Sequence, residues 1–239
     1  MIISVFIKLF CIGFGGLILG ASAGKWAYTY YQHRLEALYL ICGGMLIGVI
    51  ALELVPESIE AFNSWSLLIG VSLSLILFIC MESVLHTKYS EKSYLPLMVF
   101  VFAILSHNIP VGIALGLTIN SGGFGMGLLL ALFIHHLPEG IALYVLTRVS
   151  RVRGHFVIAS ASMVTAVLLL SAWLGMVSIK SNQMNGIFMG IAIGSIAYVA
   201  LHEMIGKVYG RVVKRELFLY TILGILLLAS YLQVAHKFF

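Results

Sequence analysis

The chain alternates long apolar runs with short polar breaks. Runs of about 20 mostly apolar residues, the length an α-helix needs to cross a bilayer, fall near 2–24, 36–58, 65–86, 95–119, 123–147, 155–178, 184–207 and 217–236. The breaks carry charges and turn formers: AYTYYQHR, TKYSEKS, NSGG, SRVRG, KSNQMNG and GRVVKRE. They leave no room for a soluble domain. Residues 1–239 are therefore expected to form one transmembrane domain, an all-α bundle of eight membrane-spanning helices. The first run continues into Lys25 without a small-residue cleavage site and reads as a retained helix, not as a cleaved signal peptide.

Composition strengthens this picture. Hydrophobic residues make up 61% of the chain and charged residues 10%, whereas soluble domains are about a quarter charged. The breaks after runs one, three, five and seven hold Lys25 and Arg34, then Lys88 and Lys92, then Arg148, Arg151 and Arg153, then Lys207, Arg211, Lys214 and Arg215. The opposite side has Lys180, Lys237 and Lys8. Basic residues mark the cytoplasmic side, so both termini are expected outside, in a multi-pass protein of a plasma membrane. Compact length and the lack of a long loop favour a bacterial one. The net charge of +5 reflects this asymmetry and implies no nucleic-acid partner. Cys11, Cys42 and Cys80 lie in apolar runs without CxxC spacing and are expected to be small buried hydrophobes.

The polar residues left inside the apolar runs carry the chemistry. The chain has no aspartate; its nine acidic residues are glutamates. Glu36, Glu60, Glu91 and Glu216 fall at run ends or in breaks, where water solvates them, as do His33, His155 and His236. Glu53, Glu57, Glu82, Glu139 and Glu203 fall within or at the ends of runs. A carboxylate at the bilayer centre costs about 2.5–3.5 kcal/mol on insertion scales, so such groups line a polar path or pair with something. Glu53 and Glu57 are expected to form an acidic mouth or to be solvated at the helix end, and Glu82 and His86 share an i, i+4 spacing.

Residues 107–115, HNIPVGIAL, and 135–143, HHLPEGIAL, agree at six of nine positions. His135 and Glu139 are four apart and share a helix face, offering imidazole nitrogen and carboxylate oxygen to one point. That donor set suits a borderline divalent ion such as zinc, with iron, manganese, cobalt, nickel or cadmium accepted by similar chemistry. Pro110 and Pro138 each remove a helical hydrogen bond, which at membrane depth is tolerated beside a polar cavity. Gly112 and Gly140 permit close helix contact. Two such helices can bring His107, His135 and Glu139 around a common centre.

SHNIPVGIALG and HHLPEGIALY resemble the fourth- and fifth-span motifs of the ZIP family of divalent-metal transporters, and the likeness extends to the eight spans. It implies a 3+2+3 arrangement with the first and last three helices as inverted repeats. It also implies metal movement into the cytoplasm from a site between spans four and five. The elevator model associated with the family slides spans one, four, five and six against two, three, seven and eight. Carried over by position, the resemblance marks His107, Asn108, His135, His136 and Glu139 as site residues. MLIGVIALELVPE resembles the span-two segment that lends a side chain to the metal and suggests Met45, and LHEMIG resembles the span-seven HE pair, placing His202 and Glu203 near the cytoplasmic exit.

Two departures bear on stoichiometry. Relatives with two adjacent metals use a glutamate where this chain has Val111, and a carboxylate in span six, where HFVIASASMVTAVLLLSAWLGMVS has none. A single transported ion is expected, held by His107, His135 and Glu139 with Met45 or water completing about four ligands, and with Asn108 and His136 set behind them. No cofactor is called for, and a GxxxxGK[ST] phosphate loop is absent. The partners expected are the ion and the lipid bilayer; a small-residue face on spans two or three is compatible with a homodimer. The rival functions are an intramembrane metalloenzyme, which the absence of HExxH disfavours, and a metal receptor that binds without transporting.

Overall fold

The computed structural model describes residues 2–31, 33–89, 93–120, 126–177 and 182–238. Glu91, Lys92 and Lys180 lie outside the described residues, as do the side chains of His86, Lys88, His236 and Lys237. Among the described residues all regular structure is helical: α1 (Ile2–Tyr31), α2 (Leu35–Val49), a π-helical turn π1 (Ile50–Leu54), α3 (Val55–Ala61), α4 (Ser64–Tyr89), α5 (Leu95–Asn120), α6 (Met126–Val149), α7 (His155–Val177), α8 (Asn182–Tyr198), a longer π-helical segment π2 (Val199–Gly206) and α9 (Lys214–Phe238).

Among the described residues, seven helical stretches are long and apolar enough to cross a membrane, including Leu35–Ala61, which runs unbroken through α2, π1 and α3, and Gln183–Gly206, which joins α8 to π2. The protein is thus a multi-pass membrane protein. Each apolar run became helix, with ends displaced by a few residues. The largest change is in α1, which carries on past the expected end at residue 24 to Tyr31, so Lys25 is helical and not in a loop. Pro110 and Pro138 lie inside continuous α5 and α6.

Large apolar side chains such as Trp65, Ile69, Leu73 and Ile76 on α4, and Phe218, Leu219 and Leu226 on α9, are exposed, while His107, Asn108, His135, His136, Glu139 and Glu203 are buried. The exterior is apolar as lipid requires, the core between the helices is largely apolar too, and the few buried ionisable groups are gathered inside the bundle away from lipid. Cys42 is buried as expected, but Cys11 and Cys80 face outward, where lipid accepts a thiol as readily as protein does.

The main packing partners are α1 with α6, α4 with α8, α5 with α7 and α2 with α9, and α5 also meets α8. The glycines of the repeated motif set two of these contacts. A Cβ on Gly112 would lie 2.6 Å from the Leu168 carbonyl oxygen of α7, and one on Gly140 would lie 3.0 Å from the Gly20 Cα of α1. Only a hydrogen fits at either place, so both motif helices are clamped from behind by a backbone.

Candidate metal centre

α5 and α6 face each other with their motif residues turned inward. His107 Nε2 and His135 Nε2 approach to 2.5 Å, with the two rings stacked at 4.7 Å between centroids. Glu139 completes the group: its Oε1 is 3.9 Å from His107 Nε2 and 3.7 Å from His135 Nε2. One ligand atom from each of the three residues lies within 4.8 Å of the others. His107 is fully buried and Glu139 is 2% exposed, yet neither Glu139 oxygen has a hydrogen-bond partner among the described residues. A buried carboxylate without donors is costly, and a cation shared with two imidazoles removes that cost. The donor set of two nitrogens and one oxygen fits zinc and its first-row neighbours.

The remaining motif residues stand behind this group. His136 Nδ1 contacts the Leu132 carbonyl at 2.8 Å and its Nε2 contacts Asn108 Oδ1 at 3.1 Å, while Asn108 Nδ2 donates to the Ile104 carbonyl at 2.9 Å. Both ring nitrogens of His136 are therefore engaged away from the His107–His135–Glu139 centre. Val111 packs on an apolar cluster containing Leu9, Leu115 and Leu168.

The side chain that reaches the centre from the second helical run is Glu53, in π1. Its Oε2 is 3.6 Å from His135 Nδ1. Met45 is half-buried on α2, eight residues earlier, or about 12 Å along a helix axis. The π-turn, whose wider loop shifts every later side chain around the axis, turns Glu53 inward; no short sequence pattern reports such a turn. Glu57, one turn further, is exposed.

A second cluster joins α4 to π2. Glu82 Oε2 is 3.2 Å from His202 Nδ1, and Glu203 Oε1 is 3.8 Å from the same nitrogen. The Tyr198 hydroxyl donates to Glu82, and its ring stacks on His202. Lys207 donates to Glu203 Oε2. Ligand atoms of Glu82, His202 and Glu203 also lie within 4.8 Å of one another. The HE pair was legible in the sequence, but its partner Glu82 was not, because the pairing depends on α4 packing against α8 and π2. A small cavity beside Glu139 is walled by Leu46, Phe100, Ile104, Ile196 and Val199.

The interior of this apolar helical bundle thus holds a buried His/His/Glu group whose donor set suits a divalent cation. The chain matches the profile described as ZIP Zinc transporter over residues 89–230, more than half its length, and it belongs to the ZIP family. That family consists of metal transporters and not of enzymes. No curated protein matches the chain.

Proposed function

We propose that this protein carries a divalent transition-metal ion, zinc foremost, into the cytoplasm through a single-ion site made by His107, His135 and Glu139. The observation that carries this reading is the buried Glu139 carboxylate, without a hydrogen-bond partner among the described residues and facing two imidazole nitrogens. Glu53 orients His135 from behind, Asn108 and His136 brace the motif helices, and Met45 or water supplies a further ligand as the site opens. His202 and Glu203 receive the ion beyond the apolar cavity, on the cytoplasmic side. The basic breaks put both termini outside.

α6, with 24 residues, is about 36 Å long and serves as the fifth of eight spans. The packing pattern supports a 3+2+3 arrangement. With the spans taken in chain order, the main pairs are one with five and six with four, two with eight and seven with three. Exchanging spans one to three with six to eight, and four with five, maps each pair onto another. The π-turns fall on spans two and seven, which this exchange also relates. Such internal symmetry suits an elevator in which spans one, four, five and six move with the ion.

The test is zinc influx into liposomes containing the purified protein and an internal zinc-sensitive dye. Wild-type protein should admit zinc, and Glu139→Ala should not. Wild-type liposomes that stay dark for zinc, iron(II), manganese and cobalt would overturn the proposal.

A further inference from the structure

The second cluster already holds a cation, and it belongs to the chain. Glu203 is 1% exposed, and the group bonded to its Oε2 is the Lys207 ammonium from one helical turn later. The other oxygen, Oε1, faces His202, which in turn faces Glu82. Lys207 thus binds, through Oε2, the same carboxylate whose Oε1 an ion held by Glu82, His202 and Glu203 would use.

We propose that Lys207 is a tethered competitor for the metal at this cluster: it occupies Glu203 when the ion is absent, withdraws when the ion arrives, and returns to expel it. This rests on the transport reading above, which places the cluster on the exit side of the central site.

The chemistry follows from charge. Lysine is a compact point charge on a flexible stem, and an ammonium and a divalent ion on one buried carboxylate repel strongly at contact distance. Lys207 is 32% exposed and sits where π2 ends and the chain turns, with Gly210 at φ +83° three residues further on. The ammonium therefore has open space beside the helix to swing into. With Lys207 in place, Glu203 is neutralised without metal, so the empty cluster does not trap the next passing cation. With Lys207 withdrawn, two carboxylates and one imidazole match a divalent ion. Exchange between these states keeps metal affinity low enough for release, and Tyr198 holds Glu82 in position through both.

The test uses the full-length protein carrying Glu139→Gln, so that the central site contributes no binding, and titrates it with cobalt(II), read by its visible absorption. Adding Lys207→Gln should tighten cobalt binding roughly tenfold or more; Lys207→Arg should stay near the parent, and Glu203→Gln should lose the signal. In protein without these changes, zinc should raise the acylation of the Lys207 amine, read by mass spectrometry, which needs no variant to fold. Unchanged or weaker cobalt binding in Lys207→Gln, or acylation indifferent to bound zinc, would overturn the proposal. Cobalt binding absent from every variant would do so too, while dye-reported influx through the central site would stand independently.

Discussion

Glu53 and Glu139 grip His135 from opposite edges of its ring: Glu53 Oε2 lies 3.6 Å from Nδ1, and Glu139 Oε1 lies 3.7 Å from Nε2. A carboxylate on Nδ1 fixes the proton there and leaves the Nε2 lone pair for a metal, the arrangement by which outer carboxylates orient histidine ligands.

Glu53→Gln should therefore weaken metal binding at the central site by about 10–100-fold while the fold survives. Calorimetric zinc titration of protein carrying Glu203→Gln, to silence the second cluster, measures it. Unchanged affinity would return Glu53 to a simple mouth residue.

Glu139→Gln should have opposite effects with and without metal. The carboxylate has no hydrogen-bond donor among the described residues, so removing its charge should raise the melting temperature of the metal-free form. Zinc, however, should no longer stabilise the variant through this site, where the parent gains about 2.7 kcal/mol at a hundredfold excess over the dissociation constant. Thermal melts with zinc and with chelator separate the two effects.

Val111→Glu should add one metal ion per chain, because it places a second carboxylate one turn from His107, facing the same side of α5. Zinc should then leave more slowly, and influx should fall. Elemental analysis after desalting reads the stoichiometry. The variant also loses an apolar contact with the cluster around Leu9 and Leu168, so its melting temperature should drop.

Gly112→Ala should destabilise the bundle by about 1–3 kcal/mol, the usual range for overpacking, since its Cβ would meet the Leu168 carbonyl oxygen at 2.6 Å. Gly15→Ala is the control: nothing lies within 4 Å of a Cβ there. Denaturation in detergent should separate the two variants clearly.

The central site was largely legible before the structure because its signals are local. His135 and Glu139 are i, i+4 on one helix, and His107 stands at the matching place in a repeat of the same motif, so spacing alone brings their faces together once α5 and α6 pack. The same local logic placed Gly112 and Gly140 at close contacts. What escaped was set by distant packing or by altered helical period. Glu53, expected at an acidic mouth, lies in π1 and reaches His135, whereas the family resemblance of this segment had pointed to Met45. Glu82, which shares an i, i+4 spacing with His86, also meets His202 and Glu203, a contact that depends on how α4 packs. Lys207 read as one of several basic residues near a membrane surface, and nothing short of three-dimensional contact reveals the carboxylate it covers.

The most direct measurement is zinc K-edge X-ray absorption on purified protein carrying Glu203→Gln and loaded with one equivalent of zinc. The expected spectrum contains two imidazole nitrogens at about 2.0–2.1 Å and carboxylate oxygen at about 2.0–2.2 Å, with no neighbouring zinc. A zinc–zinc distance of about 3.5–4 Å, or a shell without imidazole, would contradict a single ion held by His107, His135 and Glu139.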